Sequence, residues 1–68
     1  MKKVVILGTG GTSIDILDTI ADINDNYVGL KCVGFLDDNK KLWGKEVQGV
    51  KVLGPLKKAS DLDDVYFI

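Results

Sequence analysis

Apolar residues along this chain follow two different periods. From Lys3 to Leu7 the β-branched Val4, Val5 and Ile6 lead into Leu7 without alternation. A strand apolar on both sides suits a parallel sheet covered on both faces. Glycines stop this run, and from Thr12 or Ser13 the spacing turns helical. Ile14, Leu17, Ile20, Ala21 and Ile23 make one stripe, with Asp15, Asp18, Asp22 and Asp25 opposite as a solvated face. Thr12 or Ser13 is the expected N-cap, its hydroxyl accepting from an orphan backbone N–H. Asn24-Asp25-Asn26 should break the helix, with no capping glycine before Gly29.

A second apolar run, Lys31 to Leu36, ends on Asp37-Asp38-Asn39. Strand, helix and strand together span about the 30 residues of a βαβ unit, which forces a parallel pair with a right-handed crossover. Glu46-Val47 and Val50-Lys51-Val52 flank Gln48-Gly49, the pattern of a short hairpin. Pro55 starts a short helix through Ser60, since its missing N–H costs nothing at that position. Val65 to Ile68 reads as a third core strand. The expected class is α/β: a small Rossmann-like parallel sheet with a βαβ start, a short hairpin, a short helix and a final strand. The sequence stops on that strand, without the loop that completes a site at the sheet's carboxyl edge, so the front part of a longer protein is expected. An exposed last strand also predicts edge pairing between copies.

Composition narrows the classes. The chain has 68 residues, one domain at most, and a fold of that size buries only about 60% of its unfolded surface. The single Cys32 forms no internal disulfide, and the lack of histidine removes the ordinary zinc constellation. Nine lysines and no arginine stand against ten acids, interspersed and with a net charge of −1, which disfavours nucleic acid as a partner. The longest apolar run, four residues, is far short of a membrane span or a signal peptide, and a cytoplasmic location is expected. Cys32, inside an apolar strand, reads as a buried small hydrophobe.

The chemistry concentrates at Gly8-Thr9-Gly10-Gly11-Thr12-Ser13, between the first strand and the first helix. Gly8 permits a sharp exit from the strand, Gly10 keeps a side chain out of the space a phosphate would fill, and Gly11 supplies backbone freedom. The following helix offers unpaired N–H groups and the positive end of its dipole, and Thr12 and Ser13 add hydroxyls. Asp37 and Asp38 fall at the carboxyl edge of the second strand, where an acid in dinucleotide-binding domains holds ribose hydroxyls. The same Asp37-Asp38-Asn39 is also the composition of an ordinary solvated turn. Asp37 follows Gly10 by 27 residues, later than the usual ~20 after the fingerprint. Trp43 and Tyr66 read as packing residues, with Trp43 near enough to the acidic loop to stack on a base. Lys40 and Lys41 read as a solvated loop.

Three longer segments carry a resemblance: Val4 to Gly11, Val33 to Asn39, and Trp43 to Gly54. Together they resemble the N-terminal domain of bacterial sugar O- and N-acyltransferases of the sialic-acid O-acetyltransferase and bacillosamine N-acetyltransferase type. The resemblance implies a Rossmann-like domain over residues 1–68 that binds a nucleotide-sugar acceptor. It places the diphosphate on Gly8, Thr9, Gly10, Gly11, Thr12 and Ser13 and the nucleoside end at Asp37 and Asp38. It further implies a left-handed β-helix domain of hexapeptide repeats after Ile68, forming a trimer, binding acetyl-CoA and supplying a histidine base. Many members carry a histidine and a glycine where this chain has Thr12 and Ser13. With no histidine here, the 68 residues alone are expected not to catalyse acyl transfer and to bind no cofactor of their own. Two other functions fit the same turn: an NAD-type redox or sensing module, and a ligand-free structural module.

Overall fold

A computed structural model describes residues 2–26 and 29–68. Its elements are β1 (Lys2–Leu7), α1 (Gly11–Asn26), β2 (Leu30–Leu36), a 3₁₀ turn (Lys40–Leu42), β3 (Glu46–Val47), β4 (Val50–Gly54), a 3₁₀ helix (Leu56–Asp61) and β5 (Val65–Phe67). The strands form one sheet in the order β3-β4-β2-β1-β5. β1 runs parallel to both β2 and β5, β4 parallel to β2, and only β3 is antiparallel. The α/β class and the Rossmann-like order of the sequence reading are therefore present. No helix among the described residues is long and apolar enough to cross a membrane.

The uninterrupted apolar run of β1 is explained by cover on both sides. Val4, Val5 and Ile6 are 2%, 0% and 0% exposed. Val4 and Ile6 join Ile20, Phe35 and Val52 in the core under α1, against which Ile16 and Leu17 also pack. On α1 the inward stripe is Ser13, Ile16, Leu17 and Ile20, an i, i+3, i+4, i+7 set. Ala21 is exposed and Ile14 only half-buried, so the stripe lies slightly round from the one expected. Asp15, Asp18 and Asp22 are exposed as predicted, while the side chains of Ile23 and Asp25 lie outside the described residues.

A register irregularity decides which face β2 presents. Val4 pairs with Cys32 but Val5 pairs with Gly34, so Val33 is skipped. A one-residue slip exchanges the faces of everything after it. Leu30 and Cys32 before the slip and Phe35 after it consequently share the α1 side. A second slip follows in β4, where Phe35 faces Val52 and Leu36 faces Gly54. Gly34 leaves room there: a Cβ on it would lie 2.5 Å from Cγ of Leu53.

α1 ends on Asn26, within the Asn24-Asp25-Asn26 segment expected to end it. The hairpin forms at Gln48-Gly49 as expected, but its second strand also joins the parallel sheet. Val65–Phe67 is thus the fourth parallel strand and lies at the edge, with Tyr66 57% exposed rather than packed. A Tyr66 ring facing water is instead approached by Nζ of Lys2, 5.6 Å from its centroid.

Candidate functional site at the switch point

The chain leaves β1 towards β2 and β4 on one side, then returns to the other side of β1 with β5. In open α/β sheets such a reversal, here between the carboxyl ends of β1 and β5, is where ligands bind. The turn Gly8-Thr9-Gly10 sits at this point, directly after β1. Gly8 has φ +87°, which a residue with a side chain adopts only with strain, and its N–H donates to the Leu36 carbonyl at 2.7 Å. The sharp exit expected of Gly8 is therefore real.

Helix capping differs from the sequence expectation. Gly10 occupies the N-cap place: its carbonyl accepts from Ser13 N–H at 3.0 Å and from Ile14 N–H at 3.2 Å. Thr12 and Ser13 are already inside α1. A serine or aspartate cap would draw an early N–H to its own side chain, whereas glycine has none to offer. The N–H groups of Gly10, Gly11 and Thr12 have no partner among the described residues. No acid occupies the first turn to offset the positive end of the dipole. A Cβ at Gly10 or Gly11 would meet nothing within 4 Å, and neither has a positive φ, so Gly11 is not there for conformational freedom. Ser13 is 6% exposed, and its hydroxyl turns inward towards the Leu7 carbonyl at 3.4 Å. Among the two expected hydroxyl donors, the exposed Thr12 alone faces outward.

Asp37 lies beside the turn, as expected, but its carboxylate is occupied by the protein. One oxygen, Oδ2, accepts from Thr9 N–H at 3.1 Å and Thr9 Oγ1–H at 2.9 Å. The other, Oδ1, accepts from Asn39 N–H at 2.8 Å in an Asx turn. These donors favour the ionised form, led by Asn39 N–H, and hold the Asp37 carboxyl below its ordinary pKa. Asp38 points elsewhere, its Oδ1 accepting from Leu56 N–H at 2.9 Å and so capping the second 3₁₀ helix. Asp37-Asp38-Asn39 is thus a structured turn as well as a neighbour of the glycines. Asn39 in turn caps Lys40–Leu42, accepting from Lys41 N–H. Lys40 and Lys41 are exposed.

Two residues already noted at this end take hydrogen-bonding roles that their sequence positions did not announce. Thr9 was counted as part of a backbone cradle, yet its hydroxyl joins the turn to Asp37. Trp43 donates its indole N–H to the Asp37 carbonyl at 2.7 Å. The available signal was compositional: a threonine between the glycines and a tryptophan six residues after the acid, both able to donate.

A groove of ≈ 660 Å³ lies elsewhere, between α1 and the first half of β2, lined by Leu17, Ile20, Leu30, Cys32 and Val50 among others. None of the eight candidate residues lines it. It is mainly apolar, and burial raises the pKa of the Cys32 thiol on its wall. The open N–H groups are at the turn, which is why the site is placed there.

Compared with protein families, residues 3–68 match the family model of the PglD N-terminal domain. The chain belongs to the PglD N-terminal domain family. Members form the N-terminal domain of PglD-type bacillosamine and sugar acetyltransferases, in agreement with the resemblance seen in the sequence. Comparison with curated proteins and with solved structures gave no match. In this PglD N-terminal domain the match takes in the glycine turn, the acidic turn and the hairpin together.

Proposed function

We propose that the chain is the acceptor-binding domain of a hexapeptide-repeat sugar acetyltransferase. It holds the diphosphate of a nucleotide-sugar on the turn from Gly8 to Thr12. The acetyl group comes from acetyl-CoA, and the transfer takes place in a partner domain of the same enzyme. One observation carries this reading: three backbone N–H groups without partners among the described residues, those of Gly10, Gly11 and Thr12, lie together at the topological switch point of a family member. Backbone N–H groups at a helix start suit a doubly charged linker, and glycine lets it approach closely. Ser13 supports the site from behind through its bond to Leu7, and Asp37 supports it through Thr9.

The test is a calorimetric titration of the chain with a UDP-sugar and, separately, with NAD. Binding of the UDP-sugar in preference to NAD is expected. Gly10→Leu should keep the fold, because a Cβ there meets nothing, and should abolish binding. Preference for NAD would transfer the turn to dinucleotide binding. No heat from either ligand at millimolar concentration would leave a structural module.

A further inference from the structure

Core packing does not account for Trp43. Its neighbour Leu42 packs against the core, whereas Trp43 stands outside it and is 37% exposed. Nor is it loose. Trp43 N–H donates to the Lys40 carbonyl at 3.3 Å, and the next residue, Gly44, turns at φ +80° and donates to the Val52 carbonyl at 2.9 Å. The polar edge of the indole is fixed as well, by the 2.7 Å bond to the Asp37 carbonyl. A large aromatic ring is thus held in place with part of its surface open to solvent. A ring already ordered before binding loses little entropy when a ligand covers it.

Asp37 connects this ring to the glycine turn, holding Trp43 through its carbonyl and Thr9 through its carboxylate. That carboxylate already accepts three hydrogen bonds. The acceptor customarily offered to ribose hydroxyls is therefore partly engaged by the protein itself, and the part-exposed Trp43 beside it offers a further group to the nucleoside end. We infer that Trp43 is the platform on which the base of the bound nucleotide stacks. The glycine turn then reads the diphosphate and Trp43 reads the base. This rests on the nucleotide-sugar reading and specifies it: stacking accepts any aromatic base, so the ligand class is nucleoside diphosphate sugars, distinguished little by base identity.

Trp43 is the single tryptophan of the chain, so its emission reports on one position. Titrating the 68-residue chain with a UDP-sugar, and separately with inorganic pyrophosphate, is followed in parallel by calorimetry and tryptophan fluorescence. The UDP-sugar should bind and change Trp43 emission, while pyrophosphate, having no base, should leave the emission unchanged. Trp43→Ala should weaken UDP-sugar binding roughly tenfold or more. Trp43→Phe, which keeps a ring but loses the indole donor, should retain more of the affinity than Trp43→Ala. UDP-sugar binding with unaltered emission, or with equal affinity in Trp43→Ala, overturns the platform and leaves the diphosphate reading standing. Absence of any UDP-sugar binding overturns both. The wild-type fluorescence decides the matter even where a variant fails to fold.

Discussion

Across 28 residues of sequence, one carboxylate oxygen of Asp37 takes both the backbone N–H and the hydroxyl of Thr9. Hydrogen bonds to an ionised acceptor are shorter and stronger than neutral ones. This pair fixes the middle of the turn between Gly8 and Gly10 to the end of β2. It leaves the next three N–H groups open to a ligand, so the carboxylate positions the turn.

That relationship carries a pH dependence. Asp37 titrates below its ordinary value of 3.8 because the folded state donates to its charged form. A depressed pKa contributes stability that is fully present above the unfolded value and lost as pH falls through the folded one. Thermal melting of the wild type should therefore decline with pH below about 4 more steeply than that of Asp37→Asn. The variant should be the less stable of the two at pH 7. Parallel melting curves across the acid range would remove Asp37 from this role.

Gly34 should resist even the smallest side chain. Its Cβ would fall 2.5 Å from Leu53 Cγ, closer than real atoms approach. Overpacking of this kind costs about 1–3 kcal/mol. Gly34→Ala is expected to lower the urea midpoint accordingly, and Leu53→Ala in the same chain should recover part of the loss attributable to the clash. Additive losses in the double variant would contradict the contact.

The hairpin contains a correctable strain. Gln48 and Gly49 have φ of 52° and 79°, the signature of a type I′ turn. Glutamine is poorly suited to the left-handed region, whereas asparagine enters it readily. Gln48→Asn should stabilise the fold by about 0.5–1 kcal/mol, measured as a raised denaturation midpoint. An unchanged or lowered midpoint would mean that the Gln48 side chain contributes something the turn geometry does not reveal.

Much of the fold is local and was readable. Val4-Val5-Ile6 declares a strand covered on both faces, and Gln48-Gly49 between two short runs declares the hairpin. What escaped is set by partners far along the chain or by the backbone itself. The skip at Val33 depends on β1, and no alternation within β2 announces it. Gly10 caps through its carbonyl, which every residue possesses, so Thr12 and Ser13 looked the better candidates. Asp37 was legible as an acid beside the glycines, yet nothing local says that Thr9 already occupies it. Val65 to Ile68 read both as a core strand and as an exposed last strand, and the strand order, with β5 outermost, decides for the second and leaves Tyr66 in solvent.

The two rims of the sheet differ in kind. On one side β3 has two residues, with Glu46 exposed, and such a short border resists the addition of another strand. On the opposite side β5 presents a free line of backbone with Tyr66 and Phe67 open to solvent. Growth of this sheet therefore has a direction. A strand that extends it, whether from the same polypeptide or another, adds beside β5, on the far side of the switch point, and leaves the glycine turn where it is.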